Sequence, residues 1–72
     1  MKSRLREFRR AAGLSQYELG RLIGSYQHRV WLLEHGYLKP IDEEKLRISR
    51  VLGVSADAVF PQSRRPEATT TP

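Results

Sequence analysis

The stretch "SQYELGRLIGSYQHRVWLLEHG", Ser15 to Gly36, decides how this chain folds. Ser15 reads as an N-cap, because a serine ahead of an apolar-periodic run accepts a hydrogen bond from a backbone N–H of the first turn. Leu19, Leu22 and Ile23 are the apolar positions of a helix about two turns long, which Gly24 ends. A glycine there permits the positive φ that a tight interhelical turn often needs. The second half, "GSYQHRVWLLEHG", has the length of one short helix between two glycines. Its pattern is odd. With Val30 and Leu33 on a core, His28 and Leu32 face away from it and Trp31 sits on the flank. Two short helices joined so closely make a helix-turn-helix.

Upstream, "SRLREFRRAAG" places Leu5, Phe8 and Ala12 at i, i+3 and i+7, an amphipathic helix with arginines on its wet face and Gly13 as its stop. Downstream, "YLKP" is a loop closed by Pro40, and Asp42, Glu43 and Glu44 put acidic groups at the positive end of a fourth helix. Leu46, Val51 and Leu52 give that helix an apolar face, Arg47 and Arg50 lie toward its C-terminal end, and Gly53 stops it. Ser55 caps a last short helix, "ADAVF", ended by Pro61. No stretch alternates with period two for long enough to make a sheet. The expectation is an all-α, compact five-helix bundle over residues 1–60. Residues 61–72, "PQSRRPEATTTP", are too poor in apolar side chains to offset their own ordering entropy and are expected to form a disordered tail, with Arg64 and Arg65 as solvated charges.

A domain of roughly 60 residues is near the lower limit for folding alone. With no cysteine, disulfides are closed to it, and well-packed helices or a partner subunit remain. Apolar runs fall short of the ~18 residues of a membrane span, and "MKSRLREFRR" lacks the apolar segment of a signal peptide, so a cytoplasmic protein without membrane contact is expected. The formal charge of +5 is unevenly spread: residues 1–40 carry eight basic and three acidic side chains, residues 41–60 three and four. That excess suggests an anionic partner such as nucleic acid.

Chemistry finds little footing. His28 and His35 are seven residues apart, roughly 10 Å along a helix axis, too far to share a metal ion. There is no cysteine, no Gly-rich phosphate loop and no nucleophile with a plausible neighbouring base, so neither an enzyme nor a cofactor is expected.

Several pieces occur in order between Leu5 and Phe60: "LREFRRAAGLSQYELGRLIG", a helix ending "LLEHG", then "KP", then "RVLGVSADAVF". In these the chain resembles the phage repressor and Cro-type helix-turn-helix family of bacterial transcription regulators. The resemblance implies a lambda-repressor-like domain that reads double-stranded DNA with its third helix in the major groove. It implies base contacts from Gln27, His28 and Leu32. Gln16, at the positive end of the second helix, matches the family's phosphate-binding glutamine. Arg29 is better placed for phosphate than for bases, and Tyr37 and Lys39 of the following loop are further phosphate candidates. Arg9 and Glu34 match a family ion pair that belongs to architecture. Three features depart from the pattern, and one is the loop after Gly36, often basic in the family but here Tyr37-Leu38-Lys39, so fewer phosphate contacts are expected from it. Tyr26 stands where a serine or threonine usually caps helix three, so the cap moves to Ser25 or is missing. Gly20 stands where the family prefers alanine, still small enough for two helices to touch.

Trp31 has two readings: a core-edge residue against the loop or helix four, or, with Leu32, part of a protein-binding patch. The expected function is that of a homodimeric, repressor-type DNA-binding regulator. The alternative is a helix-turn-helix module, antitoxin-like or an adaptor, that contacts another protein through helix three.

Overall fold

In a computed structural model the described residues, 3–61, form five helices and no strand: α1 (Leu5–Ala11), α2 (Gln16–Leu22), α3 (Gln27–Glu34), α4 (Asp42–Leu52) and α5 (Ala56–Val59). The tail expected beyond Pro61, with Arg64 and Arg65, lies outside the described residues. The chain is all-α over the part described.

Local chemistry sets most of these boundaries. Ser15 caps α2 by accepting from the Glu18 N–H at 2.9 Å, and the Glu18 carboxylate accepts in return from the Ser15 N–H at 2.8 Å. This reciprocal box satisfies two N–H groups that a helix start otherwise leaves open. Ser55 does half of that for α5, accepting from the Ala58 N–H at 3.2 Å. At the start of α4 the Glu44 carboxylate accepts from the Ile41 N–H at 2.9 Å, while Ile41 has no oxygen to offer in return. Between α2 and α3, Gly24 takes φ +73°, and the Arg47 guanidinium of α4 donates to the Ile23 carbonyl at 3.0 Å, closing the C-terminal end of α2.

The core is Leu5, Leu19, Ile23, Val30, Leu33, Ile48, Val59 and Phe60, with Phe8, Leu14, Leu38, Val51, Leu52 and Val54 packed at its margin. Every helix contributes at least one of these side chains. The two ends of the described domain are joined by a backbone bond, Arg4 N–H to the Val59 carbonyl at 2.8 Å.

Three apolar positions differ from the sequence expectation. Ala12 lies beyond the last turn of α1 and is exposed, while Arg9 occupies the inner face beside Leu5. Leu22 is 57% exposed, because α3 lies against Gly20 and centres the buried face of α2 on Leu19, Gly20 and Ile23. Leu46 is 52% exposed, and the buried residue of α4 is Ile48, with Glu44 one turn before it.

The α2–α3 contact is the most extensive between helices, and Gly20 makes it possible. A Cβ there would lie 2.8 Å from the Tyr26 carbonyl carbon and 3.0 Å from its oxygen. Those atoms are backbone and cannot swing aside. Gly20→Ala therefore gains about 1 kcal/mol of helix propensity but incurs an overpacking cost of about 1–3 kcal/mol. The expected result is a net loss of roughly 1 kcal/mol, seen as a lower urea midpoint with an unchanged slope. A raised midpoint would show that the two helices can separate freely.

Candidate nucleic-acid interface

The residues of α3 divide by direction. Val30 and Leu33 point into the core and are fully buried. Glu34 leans toward α1 and α2, and Arg29 leans toward α4, where each meets an ion-pair partner. Gln27, His28, Trp31 and His35 are exposed on the outer side, and Leu32 is half-buried. The apolar side chains are thus spread around the axis, which is the oddity the sequence presented.

On the side facing α1 and α2 is a chain of hydrogen bonds. Arg9 donates from Nε to Glu34 Oε2 at 2.5 Å and from Nη1 to the Leu14 carbonyl at 2.8 Å. The Glu34 side chain is only 2% exposed and that of Arg9 only 10%. Gln16 Nε2 donates to Glu34 Oε1 at 3.0 Å, and Gln27 Nε2 donates to Gln16 Oε1 at 3.5 Å. The structure therefore brings together Arg9, Glu34, Gln16 and Gln27. Gln16, expected on phosphate, has its amide drawn to Glu34, leaving one N–H of Nε2 for a ligand.

Arg29, expected on phosphate, is engaged by a carboxylate. Its guanidinium is held by the Glu44 carboxylate, through Nε to Oε2 and through Nη2 to Oε1 at 3.0 Å. A bidentate pair of this kind fixes the arginine in place and cancels its charge. The carboxylate sits below its usual pKa chiefly because Arg29 bonds to it, with the Ile41 N–H adding to the effect and burial opposing it; the guanidinium is raised by the same bond. A depressed carboxylate contributes stability that is present above its unfolded pKa, about 4.3 for Glu, and lost as pH falls through the lower folded value. Glu44→Gln should cost about 1–3 kcal/mol at pH 7, discounted because Arg29 keeps some exposure. It should also flatten the fall in stability below pH 5. Urea melts at pH 7, 5 and 3 measure both, and parallel losses for the two proteins would contradict the linkage.

Helix α3 starts at Tyr26, which takes the N-cap position with extended backbone and makes no side-chain cap. The cap that the resemblance implies does not move to Ser25. It is missing, and the first turn of α3 presents backbone N–H groups beside Gln27 and His28. Gln16, Tyr17, Tyr26, Gln27, His28 and Trp31 line a shallow open hollow of about 570 Å³ here.

Trp31 meets the following loop, as one arm of the core-edge reading has it, and remains 37% exposed. It stacks on His35 with centroids 4.0 Å apart, lies 6.0 Å from the His28 ring and 5.7 Å from Tyr37, and its side chain is exposed. His35 is oriented by a 2.9 Å bond between Nδ1 and the Trp31 carbonyl. Tyr37 and Lys39 are exposed in the loop after α3, Tyr37 as the outer member of this aromatic array. Among the described residues Lys39 pairs with no carboxylate, and neither do Arg6, Arg10, Arg21, Lys45 and Arg50. Lys39 is thus the one cation of the sequence-predicted site left uncompensated.

Sequence reasoning missed the part played by Glu44, taken only as a complement to the helix dipole. A signal was present: Glu44 is four residues before Ile48, so placing Ile48 inward puts Glu44 on the same buried face. Among the described residues no three metal-ligating side chains converge, and no helix is long and apolar enough to cross a membrane. Comparisons with protein families, with curated proteins and with solved structures find no match to this chain.

Proposed function

We propose that this chain is a sequence-specific transcription regulator of the lambda-repressor-like helix-turn-helix type, binding double-stranded DNA as a homodimer. The observation that carries this reading is the exposed start of α3, where Gln27 and His28 project beside open backbone N–H groups and a hydrogen-bonded Gln16. α3 enters the major groove with this end leading. Gln27 is suited to the N6 and N7 groups of adenine, His28 to an adjacent base edge, and the exposed part of Leu32 to a thymine methyl. Lys39 and Tyr37 reach phosphates, joined by the remaining N–H of Gln16; Arg29 is assigned to structure. One small domain offers few contacts, so two copies on half-sites about 34 Å apart are required for useful affinity.

Selection from random DNA pools across a salt series tests this. The expected result is one enriched, two-fold symmetric sequence, with affinity falling as salt rises on a log–log slope of about −2 to −4 for a dimer using few cations. Gln27→Ala should weaken the selected site roughly tenfold or more and relax one base pair. No association at low salt would overturn the reading.

A second reading, a protein-interaction module using the same helix, is favoured by the exposed array of Trp31, His35 and Tyr37. Tryptophan is enriched at the energetic centres of protein interfaces. Such binding would vary little with salt, the opposite of the DNA expectation.

A further inference from the structure

A glutamine amide is nearly symmetric in shape but not in chemistry: one end donates and the other accepts. Which end of Gln27 faces which way therefore determines the order of donor and acceptor along the edge it shows to a ligand. The chain of bonds behind it supplies a direction. The Glu34 carboxylate can only accept, so the Gln16 atom facing it at 3.0 Å must be Nε2. That turns Gln16 Oε1 toward Gln27, and the Gln27 atom facing it at 3.5 Å must in turn be Nε2. The reversed amide would set oxygen against oxygen.

We propose that Glu34, besides holding Arg9, is a positioning residue for sequence reading: through Gln16 it fixes the donor and acceptor order of Gln27. Glu34 itself is 2% exposed and touches no ligand. It acts over two hydrogen bonds. Arg9 donates to both carboxylate oxygens, at 2.5 Å to Oε2 and at 3.4 Å to Oε1, so Oε1 takes its shorter bond, 3.0 Å, from Gln16. The inference rests on the DNA-binding reading given above.

Two variants break the relay differently. Glu34→Gln replaces an acceptor-only group with one that can also donate, so the chain loses its direction. Gln16→Met keeps much of the side chain's length, cannot pass polarity on, and leaves Arg9 and Glu34 paired if Glu34→Gln fails to fold. Each is put through DNA selection with the natural protein and with Gln27→Ala, which identifies the base pair that Gln27 reads. The expected outcome is a loss of preference of about fivefold or more at that base pair, with other positions within about twofold. In the DNA-free protein, the two Nε2 protons of Gln27 should show restrained motion by NMR, lost in Gln16→Met. A uniform drop in affinity, with the preference intact at every position, would overturn the proposal while leaving the DNA reading standing. Failure of the natural protein to enrich any sequence would overturn both.

Discussion

Glu34→Ala is expected to lower the stability of this domain by about 3–5 kcal/mol, which corresponds to at least about 12 °C in melting temperature for a chain this small. The carboxylate is buried at the meeting of α1, α2 and α3 and accepts from both Arg9 and Gln16. Its removal leaves the Arg9 guanidinium, itself nearly buried, with the Leu14 carbonyl as its remaining partner. An uncompensated buried charge costs far more than the pair was worth to make. Marginal domains of this size have about 3–9 kcal/mol in total, so much of the variant should be unfolded at physiological temperature. Arg9→Lys should lose less, keeping the charge but not the fork that reaches Glu34 and Leu14 together. The double change Arg9→Met with Glu34→Leu should recover a large part of the loss. Thermal and urea melts decide this, and a single-variant cost below about 1 kcal/mol would place the pair with exposed ion pairs instead.

The second large effect concerns α4. Ile48 is fully buried and is the hydrophobic anchor of this helix in the core, and Ile48→Ala should cost about 2–5 kcal/mol through lost burial and the cavity left behind. Leu46→Ala, on the exposed side, should stay within about 0.5 kcal/mol. The comparison is sharp because both residues are large, aliphatic and two positions apart. Equal losses in urea melts would mean that α4 buries the face its sequence pattern first suggests.

The error over α4 shows what kind of information a local pattern lacks. The buried face runs through Glu44, Ile48, Val51 and Leu52, but its first member is a carboxylate. A charged residue at the head of an inner face blurs the periodicity, and Leu46 then fills the apparent gap. Glu44 is buried only because Arg29, fifteen residues earlier, comes to meet it. Distant pairings of that kind leave no spacing to read. Boundaries fared differently, since Ser15, Gly24, Ser55 and their neighbours act within a few bonds of themselves, and all five helices were legible from such signals. In the site, the exposed start of α3 was legible through Gln27 and His28. The meeting of Arg9 with Glu34 was expected through family resemblance alone. The stack of Trp31 on His35 was not anticipated, because two residues one turn apart on a helix can lean together or apart, and only the neighbouring loop decides.

Gly20 has a mechanical consequence as well as an energetic one. Where helices meet through side chains, each rotamer gives the interface a small slip, and packed helices can shear past each other. At Gly20 the backbones of α2 and α3 touch without such an intermediary. With no side-chain rotamer between them there, α2 and α3 have less room for such slip. α4 is tied to the same pair by Arg29 on Glu44 and by Arg47 on the Ile23 carbonyl, so slip on that side has to break polar contacts first.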